Sequence, residues 1–389
     1  MSSIFDKIID RRGSGSNKWE SYDADVLPLW VADMDFAVPE AIQNELVARV
    51  KHGVFGYALG EAPTLLDEIC ERTDRLYNWK VLPEEIVFFP GLTSALNAIC
   101  RAFGKYGDGV VVQPPIYYPF LTAIKNQGRQ IRHAPLKRND QHGCVNYEID
   151  FGVLERAITT GTNLFLLCNP HNPVGKLYST NVLERIAEIC ERNDLIICSD
   201  EIHCELLLDQ KQHHRPTATL SAEIAARCIT LMAPSKTFNL AGLSCGYAII
   251  QNPALMEQVR KATAGIIPSV NVMGFAGALA AYQYGTEWLN ELLPYLSSNR
   301  DHVIQYLSEY MPSILTTRPE ATYLMWLDCT DSSIPGNPHE FFLKEAKVAL
   351  NDGAMFGPGG QGFVRLNIAC PRATLSEALQ RMRTALDTL

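Results

Sequence analysis

Lys236 closes the apolar run CITLMAPSK, and an amine in such a place must be solvated or used. As a structural residue it would snorkel to water or pair with an acid. With its pKa lowered by apolar surroundings it could instead attack an aldehyde. Asp200 ends a second apolar run, LIICSDE, where it could cap a helix or keep a pyridine nitrogen protonated. Asn172 lies in NPHNPVG, a turn-forming stretch, and its amide could donate to a phenolate oxygen. Gly91-Leu92-Thr93-Ser94 leads from IVFFP into the helical run SALNAICRAF. A glycine turn at a helix start offers free N–H groups and a positive dipole end to a phosphate. Tyr117 and Tyr118 of PPIYYPF are either packing aromatics or a face for stacking a flat ring. Arg365, a lone cation in GFVRLNIAC, calls for a carboxylate, from an internal acid or from an amino-acid substrate.

Each functional reading is a contact to pyridoxal phosphate (PLP) or to the α-carboxylate of an amino acid. No single residue decides the matter, because each has an ordinary structural explanation. Their company does: an amine for the aldehyde, an acid for the ring nitrogen, an amide for the ring oxygen and an arginine for the substrate.

The elements that must position them alternate along the middle of the chain. VVVQPP near 110–115, NLFLLCNP at 163–170, LIICSDE at 195–201, CITLMAPSK at 228–236 and CGYAIIQNP at 245–253 read as buried strands. Between them lie helical stretches, such as Ser179 to Asn193 with Val182, Leu183, Ile186 and Ile189 on one face. The alternation predicts an α/β fold with a mostly parallel sheet, and ligands bind beyond the carboxyl ends of such strands. Asn172, Asp200 and Lys236 all follow predicted strands, so they are expected at one edge of the sheet.

The 389 residues exceed what one core usually supports, which predicts two domains. A large α/β domain is expected over 49–285. A smaller α+β domain is expected from 1–48 with 286–389, where a long helical region, TYLMWLDC and GFVRLNIAC change the texture. With 34 Lys+Arg against 43 Asp+Glu, the net charge of -9 argues against a nucleic-acid surface. The N-terminus MSSIFDKIIDRR does not read as a signal peptide, and no apolar run suggests a membrane span. Eleven cysteines, with no CxxC pair, read as reduced thiols of a cytoplasmic protein. His203-Cys204 and His213-His214 lack the spacing and companions of a metal site.

The order and spacing of these segments resemble the fold-type I PLP enzymes, and more narrowly the MalY/PatB-type cystathionine β-lyases, cystalysins among them. WVADMDF (30–36), FGYALG (55–60), PPIYYPF, NPHNPVG, SDEIHCEL (199–206), APSKTFNLAGL (233–243) and LNDGAMFGPGGQGFVRLNIACPR (350–372) carry the resemblance across the whole chain. It implies Lys236 as the Schiff-base lysine, Asp200 as the pyridinium partner, Asn172 at the ring oxygen and Tyr117 stacked on the ring. Leu92, Thr93 and Ser235 would hold the phosphate. Tyr57 would reach the phosphate of a neighbouring subunit, implying a homodimer with shared active sites. Arg365 would anchor the α-carboxylate, and Tyr118 would stand on the leaving-group side. Two positions depart from the common aminotransferase pattern: Ser244 replaces an arginine that pairs with the phosphate, and His203 replaces a tyrosine beside the ring oxygen.

The resemblance implies α,β-elimination of cystathionine, cysteine or a related S-conjugate to a thiol, pyruvate and ammonia. Transamination would use the same Lys236 and is the main alternative. A PLP-fold protein acting only as a regulatory partner is the third, against which the joint presence of Lys236, Asp200, Asn172 and Arg365 argues.

Overall fold

The expected strands assemble into one seven-stranded sheet, seen in a computed structural model that describes residues 3–60, 62–140, 143–209 and 211–389. In chain order they are β1 (Ile86–Phe89), β2 (Gly109–Val112), β3 (Gln130–His133), β4 (Thr162–Cys168), β5 (Ile196–Asp200), β6 (Cys228–Met232) and β7 (Gly246–Ile249). Across the sheet they run β1-β7-β6-β5-β4-β2-β3. The pairs from β6 through β3 are parallel. Strand β7 runs antiparallel to both of its neighbours. The sheet is therefore mixed but mostly parallel, as the alternation requires. Leu164 to Leu167 of β4 are wholly buried, which is why the run is apolar at every position and not at alternate ones.

Helices cover the sheet. They include α1 (Pro63–Tyr77), α2 (Leu92–Ala102) and α3 (Thr180–Arg192), and α4 (Thr286–Tyr310) runs on beyond it. Helix α3 buries Leu183, Ile186, Ala187, Ile189 and Cys190, while Val182 sits at the border of that stripe. A second, antiparallel sheet has the order β8-β9-β11-β10, from β8 (Leu315–Thr316), β9 (Leu324–Asp328), β10 (Asn351–Asp352) and β11 (Phe363–Asn367). The N-terminal segment joins this half of the molecule, since Leu27–Pro28 pairs in parallel with Val348–Ala349. Among the described residues no helix is long and apolar enough to cross a membrane.

One expected element ends early. The run CITLMAPSK leaves the sheet at Met232, and Lys236 sits on a short helical turn, Pro234–Thr237. Pro234 supplies no N–H to a ladder and starts a helical turn readily, so the chain turns there. The turn carries Lys236 past the carboxyl end of β6.

Candidate active site

Three strand ends meet at one cavity of about 190 Å³. The loop after β4 supplies Asn172, β5 supplies Asp200, and the turn after β6 supplies Ser235 and Lys236. Leu92 and Thr93 line the same cavity from the start of α2, and Tyr117 and His203 complete it. The convergence expected from the sequence is present.

Lys236 points its Nζ into this space and donates to the backbone carbonyl of Ala32 at 2.6 Å. The amine keeps some accessible surface because it faces the cavity, although protein surrounds it on all sides. Burial and the positive charge of Arg365 bring its pKa down to about 8, while Asp33 and Asp200 oppose the shift. A lysine so tuned is part-neutral near physiological pH and so nucleophilic.

Among the described residues the Asp200 side chain receives one hydrogen bond, from the Ile202 N–H to Oδ1 at 3.1 Å, and is in no ion pair. Burial pushes its pKa up to about 7, with Glu201 adding to the rise and Lys236 opposing it. An acid in that condition gains from any cationic group placed beside it. His203 is held neutral, its pKa lowered to about 3 by burial and by the charges of Lys236 and Arg365. Its Nδ1 is buried without a partner.

Helix α2 starts at Gly91, whose φ of +99° suits glycine and few other residues. No side chain caps this end, so its first N–H groups stay open toward the cavity. Ser244 also lines the cavity, in the left-handed region at φ +53°.

Arg365 lies on β11, directly opposite Asn351 of β10. Its guanidinium donates to Asn172 Oδ1 at 3.1 Å, to the Trp30 carbonyl at 2.9 Å and to Asn351 Oδ1. It also lies over the Phe356 ring, 5.1 Å from its centre. All these partners are neutral, and the buried Nε has none. Burial lowers its pKa to about 10. Among the described residues no acid pairs with Arg365, so the internal salt bridge left open at the level of sequence is not formed there. Because Asn172 turns its carbonyl toward Arg365, its NH2 remains to donate elsewhere.

Tyr117 and Tyr118 pack at 5.1 Å, and Tyr118 meets Phe356 edge-on at 6.2 Å. Tyr117 lines the cavity and Tyr118 stands beside it. The Tyr117 N–H donates to the Asn172 carbonyl at 3.0 Å, and the Ile116 N–H to that of Phe356 at 2.9 Å. These bonds tie PPIYYPF to the loops on either side. His171 adds a third tie, with Nε2 at 2.9 Å from the Pro115 carbonyl and Nδ1 at 3.0 Å from Tyr178 Oη. Tyr57 does not reach this cavity. It is fully exposed, in an exposed stretch with Val54, Phe55 and Leu59.

Sequence reasoning missed the roof of the site. Residues 30–36 lie across it, with the Trp30 carbonyl on Arg365 and the Ala32 carbonyl on Lys236 and on Tyr323 Oη, the latter at 3.0 Å. Asn367 Nδ2 clamps the same segment through the carbonyls of Val31 and Asp33. The motif WVADMDF was visible, but its contributions are backbone carbonyls, which no residue type announces.

The whole arrangement is that of a fold-type I enzyme, and the chain belongs to the aminotransferase class I and II family, whose pattern it matches over residues 24–382. Within that breadth it is 40% identical to cystathionine beta-lyase PatB of Bacillus subtilis, over 98% of this chain and all of that one. Protein MalY of Escherichia coli is 31% identical, over 98% of each chain. The solved structure of cystalysin from Treponema denticola, which contains a pyridoxal 5'-phosphate cofactor, superposes with a TM-score of 0.92 at 32% identity, covering 100% of both chains.

Proposed function

We propose that this chain is a PLP-dependent C–S β-lyase that eliminates a thiol from cystathionine, cysteine or a related S-substituted amino acid. The other products are pyruvate and ammonia. The observation that carries the reading is Arg365, a buried cation with neutral partners only and an unbonded Nε, beside an amine and an acid that are also unpaired. The identity to cystathionine beta-lyase PatB supports the lyase over transamination.

The donor set fits PLP. Asp200 lacks a cation and suits a protonated ring nitrogen, and the free NH2 of Asn172 suits the ring oxygen. The open N-terminus of α2, with Thr93 and Ser235, suits the phosphate. Ser244 carries no charge, so the phosphate relies on dipole, N–H groups and hydroxyls. Tyr117 supplies an aromatic face, and neutral His203 stands near the ring. When bound, PLP supplies a sink for the electrons left when a proton leaves the substrate's Cα.

Lys236 would hold the cofactor through Nζ, and the same amine would take the proton from the substrate's Cα. Its lowered pKa leaves it deprotonated often enough to do so. Arg365 fixes the substrate α-carboxylate through its fork, which fixes in turn which bond at Cα faces Lys236. Tyr118, packed against Tyr117 beside the cavity, would face the departing sulfur. Tyr57, exposed on its own chain, supports a homodimer in which each subunit completes the other's phosphate site. Eleven unpaired cysteines support a cytoplasmic setting.

Incubation with cystathionine and no keto-acid acceptor tests the reaction. Pyruvate should form steadily over many turnovers. Conversion of the enzyme that stops after one equivalent would instead make it an aminotransferase.

A further inference from the structure

Asp200 is followed at once by a second buried acid. Glu201 has no accessible surface, and because side chains alternate at a strand end it shares a face with Ser199 and not with Asp200. Ser199 Oγ donates to Glu201 Oε1 at 2.8 Å, and the Thr217 N–H donates to the same oxygen at 3.0 Å. Oε2 lies 2.6 Å from His214 Nε2.

The other ring nitrogen decides where the proton sits. His214 Nδ1 is buried without a partner. A bare acceptor there costs less than an orphaned N–H, which places the proton on Nε2 and makes it a donor to Glu201. All three groups on Glu201 are then donors, so the carboxylate is charged and the imidazole neutral. Among the described residues, the surrounding groups leave that charge uncompensated. Cys204 and Cys228 face it as thiols that burial keeps protonated. Tyr77 of α1 packs edge-on against His214 and donates to Cys204 Sγ. Arg72 of α1 is taken by Glu205. Toward the cavity stand Asp200 and, beyond it, Lys236.

We propose that Glu201 is a positioning residue for the cofactor's protons: its fixed charge, on the opposite face from Asp200, adds to that of Asp200 in holding the bound ring in its protonated form. The inference rests on the reading of Asp200 as the ring's partner. It gives the Ser199, Thr217 and His214 contacts one purpose, which is to keep a buried carboxylate ionised.

The test is a pH titration of the visible absorption of the holoenzyme, with no substrate present. Glu201→Gln keeps the shape and removes the charge, so the midpoint should fall by about one pH unit. His214→Gln retains a donor and should leave the midpoint in place. His214→Phe removes one of the three donors that hold the carboxylate's charge and should shift the midpoint in the same direction as Glu201→Gln. This variant is read if Glu201→Gln does not fold. Asp200→Asn is the control and should move the midpoint further. If Asp200→Asn moves it and neither charge-removing variant does, the role of Glu201 is overturned and that of Asp200 stands. If Asp200→Asn leaves it unmoved, both readings fall together.

Discussion

Residues 30–36 touch two clusters of buried charge built on opposite plans. Around Asp35 every charge has a charged partner. Arg11 binds Asp33 at 2.8 Å and Asp35 at 2.7 Å, and the fully buried Lys18 binds Asp35 at 2.8 Å, with Trp19 Nε1 donating to the same acid. At the cavity, with Lys236 and Asp200 lining it and Arg365 buried behind Asn172, the three groups bond only to neutral atoms among the described residues: Lys236 to the Ala32 carbonyl, Asp200 to the Ile202 N–H, and Arg365 to Asn172, Asn351 and Trp30. The first plan spends its charges on holding the N-terminal segment in place. The second keeps them available, each able to gain from a ligand of opposite charge. The first cluster is also what lays the roof over the second.

Substitutions in each cluster should therefore fail in different currencies. The largest effect belongs to Lys236→Ala, which should cut pyruvate formation by ~10⁴-fold or more while the thermal unfolding midpoint stays near that of the parent. A comparable loss of folding would mean that the cavity charges are structural after all. Lys18→Met should do the reverse, lowering stability to denaturant by ~3–5 kcal/mol because it leaves the carboxylates of Asp33 and Asp35 to share one cation, Arg11. Activity per folded molecule should change little by comparison.

Third in size is a pH effect in protein freed of cofactor. Asp200 has a folded pKa of about 7 against an ordinary 3.8, so folding favours its protonated form. Its contribution to stability is complete below pH ~4 and is lost as pH rises to ~7, by ~4 kcal/mol. Asp200→Asn should flatten that slope in denaturant titrations across this window, and an unchanged slope would place the titration elsewhere. Smallest is Arg365→Lys, which keeps a charge and loses the fork. KM should rise by ~10–100-fold with a lesser change in kcat, since the carboxylate contact acts in both ground and transition states.

What was legible in the sequence followed from the physics of strands. Doubly buried strands leave continuous apolar runs, so polar residues at their ends stand out, and Asn172, Asp200 and Lys236 were found that way. Arg365 was visible as the one cation in its run, although its lack of an acidic partner was not. The direction of β7 could not be read, because an apolar run is the same whichever way it points. The contributions of Trp30 and Ala32 are carbonyls and carry no signature. Asn351 is a common residue whose value comes only from its register opposite Arg365. Glu201 was hidden by its neighbour: in SDEIHCEL the eye stops at the acid that faces the cavity.

The most direct test of this account traps the cofactor where it is held. Borohydride reduction of the holoenzyme, followed by digestion and mass measurement of the peptides, should find the pyridoxyl phosphate mass on Lys236 alone. Its attachment to another lysine, or to none, would contradict the account.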